Sequence, residues 1–418
     1  MKNSVKQLSV RLNGQPVGIF SQTTTGRMRF KYLPGTTMAI SNSLPIQEES
    51  YSHKACEAYF AGLLPESSRA KKAIAHQFDA NPNSTFSLLK AIGSDCAGAI
   101  SFTDMNEPQE TLKPVKTRLL SSEELEQHII ELPEKPLFLG VDGLKLSLAG
   151  VQEKAAVFVA DGKVYLPTFG TSTTHILKPE NTNFPHLVAN EFLCMKAAQL
   201  LGLPVSAVRM DSAGSKDFLL VERYDRKVES ATITRIHQED FCQALPNSQK
   251  YEQYGGPGHK NCFQLLEQTT FPVLDRNLLM GALIYNFLIG NADAHGKNFS
   301  LIYGEDGSVR LAPFYDLVCT RVYDGLSAEM SMKIGKNYRF SSVSIEDWKT
   351  LAKQVGFSYP TIRQMLKTQA NTLPSLVSSE RELIRGSRFD GNELDRLVLY
   401  VNNACERVLK IINDEKLS

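Results

Sequence analysis

The sequence predicts an α+β protein with a strand-rich half, a helical half after it and a small α/β region in front. Three observations carry this reading. Strand patterns dominate residues 140–225, helical patterns take over beyond 235, and a chain of 418 residues exceeds one typical core, so two or three domains or lobes are expected. The corresponding regions are read as 1–105 (the α/β region), 140–230 (the strand-rich part) and 235–418 (an all-α C-terminal lobe).

Each element has a local reason. Residues 8–20 read as a hairpin around Asn13-Gly14, a dipeptide that accepts the positive φ of a tight turn. Residues 27–32 form a further strand pattern. From 56 to 78 the pattern is helical, broken at Leu64-Pro65-Glu66, and 82–94 suggests another helix. Residues 105–125 are polar and irregular and read as a linker. Ser121 and Glu124 stand at capping-box spacing. Asp161-Gly162 joins strands at 155–160 and 163–166, and residues 175–178 form a third strand, ended by Pro179. A helix over 187–201 stops at Gly202 and Pro204. A strand over 218–221 leads into Glu222-Arg223-Tyr224. Helical patterns follow at 238–244, 277–289, 345–355 and 393–411.

Composition narrows the function classes. Hydrophobic residues make up 42% and charged residues 22%, ordinary values for a globular protein. The 46 basic and 45 acidic side chains leave a net charge of +1, so no global basic excess points to direct nucleic-acid binding. Seven scattered cysteines with no CxxC pair argue against a disulfide framework or structural zinc and fit a reducing cytoplasm. The N-terminus lacks the apolar run of a signal peptide. The apolar stretch 278–289 is short of a bilayer span. A cytoplasmic protein with no membrane partner is therefore expected.

The chemistry is concentrated in Gly290-Asn291-Ala292-Asp293-Ala294-His295-Gly296-Lys297-Asn298-Phe299, at the end of that apolar helix, and in Phe314-Tyr315-Asp316, after the next hairpin. An Asp, an Asn five residues on and a second Asp are what a kinase catalytic loop and metal site need. Asp293 is the candidate base that accepts the proton of the attacking hydroxyl. Asn298 and Asp316 are the candidate ligands of Mg²⁺, whose remaining positions go to waters and ATP phosphates. His295 either orients Asp293 or the phosphates or makes a structural hydrogen bond. Lys297 either steadies the transferred phosphoryl group or is solvated. Lys178, ending a strand upstream of this motif, stands where an ATP-positioning lysine belongs, with Glu191 on the next helix as a candidate ion-pair partner. Ser147-Leu148-Ala149-Gly150-Val151-Gln152-Glu153-Lys154 is a strand-entry turn whose backbone could meet phosphates, although no Walker A motif exists. Glu222 to Tyr224 sits where a lobe-joining hinge would offer backbone groups and an apolar surface to adenine. These features predict a bilobal, protein-kinase-like fold.

In order along nearly the whole chain, these stretches resemble the HipA family of serine/threonine kinases, the toxin components of bacterial toxin–antitoxin pairs. Gly62-Leu63-Leu64-Pro65-Glu66, Gln238-Glu239-Asp240-Phe241-Cys242-Gln243 and Gly255-Gly256-Pro257-Gly258 belong to the same set. The resemblance implies an ATP pocket made of Ala149, Gly150, Val151, Gln152, Glu153, Lys154, Lys178, Glu222, Arg223, Tyr224, His295, Gly296, Lys297, Asn298, Tyr315 and Asp316. It implies Asp293 as the catalytic aspartate and Ser147 as an inactivating autophosphorylation site. It also implies a HipB-like helix-turn-helix antitoxin partner, contact with operator DNA chiefly through that partner, a corepressor role, and a protein substrate of the glutamyl-tRNA synthetase class. Leu148 and Tyr224 depart from the residues frequent in the family (Val and Phe) without removing a functional group. A kinase for a lipid or small molecule, and a nucleotide-bound corepressor without catalysis, are the alternatives.

Overall fold

The computed structural model describes residues 5–105, 117–138, 147–150, 152–167, 172–229 and 232–415. The chain opens with β1 (Lys6–Leu12), β2 (Gln15–Gln22) and β3 (Met28–Tyr32), followed by α1 (His53–Phe60), α2 (Ser68–Gln77), α3 (Thr85–Ile92) and β4 (Ile100–Asp104). The four strands form an antiparallel sheet in the order β3-β2-β1-β4. The Asn13-Gly14 turn is present, with φ of 49° and 77° at its two residues.

Within the stretch read as a linker, 106–116 lie outside the described residues. The rest is ordered: β5 (Thr117–Leu119), then α4 (Ser122–Glu131) with the expected reciprocal Ser121–Glu124 capping box. The next strands are β6 (Ala155–Ala160), β7 (Lys163–Pro167), β8 (His175–Pro179), then α5 (Leu187–Leu200), β9 (Val208–Ala213) and β10 (Lys216–Glu222). They make a six-stranded sheet in the order β5-β7-β6-β8-β10-β9. Phe20, Phe60 and Phe102 share one continuous apolar cluster with Ala155, Val157, Leu177, Phe218 and Leu220. The first sheet and the second therefore bury a common core.

The remainder is built on a second cluster. β11 (Arg226–Glu229) pairs with β12 (Thr232–Arg235). β13 (His237–Asp240) leads straight into the single-turn α6 (Phe241–Ala244), and α7 (His259–Leu265) and α8 (Pro272–Ile289) follow. β14 (Ser300–Tyr303) and β15 (Val309–Leu311) complete a three-stranded sheet with β13, and β16 (Glu329–Ile334) pairs with β17 (Asn337–Arg339). The last helices are α9 (Ile345–Val355), α10 (Tyr359–Ile384) and α11 (Asn392–Asp414).

Two expectations need correction here. Residues 238–244 are not one helix. Residues 237–240 pair antiparallel with 300–303, and only Asp240, whose carboxylate accepts from the Gln243 N–H at 2.9 Å, starts a helical turn. The lobe expected to be all-α is mainly helical but also carries these small sheets. The 26-residue α10 is not among the helical patterns named from the sequence; it continues through Pro374, with Leu366, Ala370, Leu373 and Val377 buried along one face.

α8 places the site. It is apolar on nearly every face and buried from Leu279 to Ile289. Gly290 ends it with φ 72° and ψ 38°. A Cβ there would collide with the Tyr400 ring and the Arg321 side chain, so both the conformation and the space call for glycine.

Candidate active site

A cleft of about 1040 Å³ runs between the six-stranded sheet and the helical lobe. It is lined by Ala149, Gly150, Gln152, Glu153, Lys154, Lys178, Glu222, Arg223, Tyr224, Asp293, His295, Lys297, Asn298, Tyr315 and Asp316. Among the described residues, sequence reading and structure bring almost the whole predicted set to one place. Val151 lies outside the described residues. Gly296 is buried within the loop, where an added Cβ would meet Cys242 and Pro257, and Ser147 is buried.

The central charge cluster is Lys178, Glu191 and Asp316. Lys178 Nζ lies 2.7 Å from Glu191 Oε1, the pairing suggested by the strand–helix order, and also contacts the Asp316 carboxylate. Burial would lower the Lys178 ammonium, but Asp316 and Glu191 outweigh it and hold its pKa above the usual lysine value. Burial would raise Asp316, but Lys178 and then Lys154 keep it below the usual carboxylate value. Glu191 is raised, because burial outweighs its attraction to Lys178. Burial pulls Lys154 down to about 8, with Asp316 opposing and Lys178 adding to the depression. Asp316 sits in the left-handed region at φ 54°.

The loop after α8 is fixed by its own polar groups. Asn291 Oδ1 accepts from the Asp293 N–H at 3.1 Å, and Asn291 Nδ2 donates to the Asp316 carbonyl at 3.2 Å, tying the two aspartate segments together. Thr320 Oγ1 accepts from the Ala292 N–H at 2.9 Å. Burial drives His295 down to about 4 despite Asp293, so its ring is neutral near pH 7. Its Nδ1 has no hydrogen-bond partner among the described residues, and its Nε2 stands 4.0 Å from Asp293 Oδ2.

Asn298 makes no side-chain hydrogen bond among the described residues and faces the same cleft as Asp316. One carboxylate and one uncommitted amide oxygen fit a Mg²⁺ ion that keeps waters and phosphates as its other ligands. Among the described residues there is no cluster of three or more His, Cys, Asp or Glu side chains suited to a metal.

Tyr224 and Tyr315 stack with ring centroids 5.8 Å apart and planes at 24°, a flat apolar shelf at the sheet end of the cleft. The Tyr315 hydroxyl donates to the Lys297 carbonyl at 2.8 Å. Arg223 differs from its neighbours. Its guanidinium is buried and committed to Asp225, Thr173 and the Cys96 carbonyl, while its backbone N–H donates to the Thr174 carbonyl and its own carbonyl accepts from the Arg226 N–H.

The segment after Ser147 is held by the N-terminal region. Ser147 Oγ donates to the Leu63 carbonyl at 2.6 Å, and Gly150, at φ 108°, accepts from the Glu66 N–H at 3.0 Å. Glu66 then reaches Lys297 at 3.1 Å and Lys250 at 3.0 Å. Burial opposes ionisation of Glu66, but the two lysines outweigh it and hold it near 2. Asp240, raised by burial to about 6 against Lys297, also borders the cleft. Glu66 as a cleft residue, Lys250, Tyr251 and Asp240 were missed by site reading. Glu66 and Asp240 lay inside quoted motifs, but nothing in their spacing told where they would point.

Comparison with known proteins fits this geometry. Residues 146–377 match the HipA-like C-terminal domain, and residues 8–103 match the HipA N-terminal domain. The chain belongs to the HipA family. It is 39% identical over 387 residues to the putative kinase Y4mE of Sinorhizobium fredii, covering 90% of this chain and 92% of that protein. It is 29% identical to the serine/threonine-protein kinase toxin HipA of Shewanella oneidensis, covering 90% and 88%. The solved complex of the Shewanella HipA with HipB and operator DNA superposes with a TM-score of 0.84 at 26% identity, covering 97% and 98%. The Shewanella relative is a serine/threonine-protein kinase, and the fold is that of HipA. No helix among the described residues is long and apolar enough to cross a membrane.

Proposed function

We propose that this HipA-family chain is an ATP- and Mg²⁺-dependent protein serine/threonine kinase, the toxin of a toxin–antitoxin pair. The observation that carries the reading is the convergence of Lys178, of Asp293 and Asn298 from one loop, and of Asp316, three separate segments in all, on one cleft beside an aromatic shelf. In this reading adenine lies along Tyr224 and Tyr315, and the backbone of Ala149 to Lys154 together with Lys178 receives the phosphates. Asn298 and Asp316 would hold Mg²⁺, which supplies charge neutralisation at the phosphates. Asp293, exposed at the cleft mouth, orients the acceptor hydroxyl and takes its proton.

Ser147 is the proposed autophosphorylation site. Its hydroxyl is fully buried against Leu63, so the loop must leave this seat before it is modified. A phosphoserine carries about −1.5 to −2 charges and would not re-enter a buried pocket facing a carbonyl. The loop would then stay out and the ATP site stay incomplete. By likeness to the complex solved for the Shewanella protein, a HipB-like antitoxin and operator DNA are the proposed partners and corepression the second role. An aminoacyl-tRNA synthetase is the proposed substrate class. Labelled ATP tests the reading: the wild type incorporates phosphate into protein, Ser147 included, and D293Q does not. Equal incorporation by D293Q removes Asp293 as the base, and labelled lipid without labelled protein favours a lipid kinase instead.

A further inference from the structure

Asp293 projects from a loop with its side chain 56% exposed, so the packing of α8 does not fix its carboxylate. The loop backbone is fixed: the Asp293 N–H is bound by Asn291, and its carbonyl accepts from the His295 N–H at 2.8 Å. The carboxylate itself is held from elsewhere. Tyr251 donates its hydroxyl to Asp293 Oδ1 at 2.7 Å, whereas His295 at 4.0 Å from Oδ2 is beyond hydrogen-bond range. Among the described residues, Tyr251 is the hydrogen-bond donor to this carboxylate.

Tyr251 is itself locked in place. Its carbonyl accepts from the N–H groups of Tyr254 at 3.0 Å and Gly256 at 2.9 Å, closing a tight loop. A Cβ at Gly256 would lie 2.7 Å from backbone atoms of Lys250 and Tyr251, so this turn has no room for another residue. The Tyr251 ring meets His295 edge-on at 5.3 Å and 78°. Lys250 Nζ lies 5.1 Å from the Tyr251 ring centroid and 3.0 Å from Glu66. The other oxygen of Glu66 binds Lys297, inside the catalytic loop. A continuous set of contacts thus runs from the N-terminal region through Lys250 and Tyr251 to the carboxylate at the cleft mouth. Burial and then the negative Asp293 raise the Tyr251 phenol, which keeps it a donor.

We infer that Tyr251 is a positioning residue for the acceptor side of the reaction: its hydroxyl pins one oxygen of Asp293 so that the other meets the acceptor hydroxyl, with Glu66 bracing it through Lys250 and Lys297. The inference rests on the kinase reading and adds the part that the N-terminal region plays in it. A base held by one short hydrogen bond keeps its near-attack orientation, and small misplacements of such groups cost large factors in rate.

The test uses the full chain with MgATP, following ADP release and phosphate incorporation. Y251F is expected to lower kcat roughly tenfold while leaving KM for ATP, the affinity for a non-hydrolysable ATP analogue and the melting temperature within about twofold or a few degrees of wild type. Because Tyr251 acts through Asp293, D293N/Y251F is expected to fall no lower than D293N alone. E66Q is expected to lower kcat in the same direction by less. Unchanged or faster turnover by Y251F overturns the inference, since the hydroxyl would then merely fill the seat of the acceptor. So does an equal further loss in the D293N background. Should Y251F fail to fold, E66Q decides: unchanged kcat with intact ATP affinity overturns the brace. Absent turnover in the wild type sinks the kinase reading itself, a distinct result.

Discussion

The two walls of the cleft are held by different means. The lower wall, carrying Asp293, Asn298 and Asp316, grows from α8, a helix buried almost throughout and sealed by Gly290 against Tyr400. The upper wall at Ser147 to Gly150 leans on the N-terminal region through a few polar contacts: Ser147 to Leu63, Gly150 to Glu66. Extensive apolar packing fixes one wall, whereas in the other Leu148 enters the apolar core and hydrogen bonds, each worth about 1 kcal/mol net, hold the residues on either side of it. In the proposed function the groups for the proton and the metal thus stand on the more extensively packed wall, and the segment proposed to meet the phosphates on the less packed one.

The sharpest way to break this contrast is at the point where the walls meet. K178M leaves Glu191 buried without its cation and removes the partner of Asp316. A loss of about 3–5 kcal/mol in unfolding free energy is expected, because one side of a buried pair is removed, with ATP turnover falling at least a hundredfold by the measure of lost phosphate positioning. Chemical denaturation and steady-state kinetics read the two effects. G290A attacks the lower wall alone. The added methyl meets the Tyr400 ring in a left-handed backbone, and a destabilisation of about 1–3 kcal/mol is expected. Retained stability in G290A would mean the wall yields more than its packing suggests.

S147D attacks the upper wall. A charge cannot be buried against the Leu63 carbonyl, so KM for ATP should rise several-fold while the melting temperature moves by only a few degrees. An equal loss in both would make the two walls alike. The smallest effect concerns pH. Lys154 is depressed to about 8, so it is charged below that pH and neutral above it. Phosphates favour the charged form. ATP affinity should therefore be greatest below pH 8 and fall as pH rises toward 9, and binding near pH 8 should take up protons in calorimetry run in buffers of different ionisation enthalpy. A flat profile would place Lys154 away from the phosphates.

Much of this was legible in the chain. Asn13-Gly14, Asp161-Gly162 and the Ser121–Glu124 capping box are local chemistry, and each turned up where its turn or cap required. The Lys178–Glu191 pair followed from a strand and the helix after it. What stayed hidden depends on partners far along the chain. Glu66 acquires its role only when folding brings it to Lys297 and Lys250. Residues 238–240 look helical until their strand partner at 300–302 is supplied. Tyr251 sits in a polar loop with no periodicity, and no spacing rule links it to Asp293. Arg223, read in sequence as part of a hinge offering backbone groups, has its guanidinium claimed by the buried acid Asp225 two residues on.

In the proposed function Asp316 exchanges its contact with Lys178 for a magnesium ion brought in by nucleotide. Calorimetric titration of a non-hydrolysable ATP analogue into the wild type and D316N, with and without Mg²⁺, reads this. The wild type should bind at least tenfold more tightly with Mg²⁺ and D316N should gain little from it. Wild-type binding that ignores Mg²⁺, or a D316N response equal to that of the wild type, would contradict the central claim.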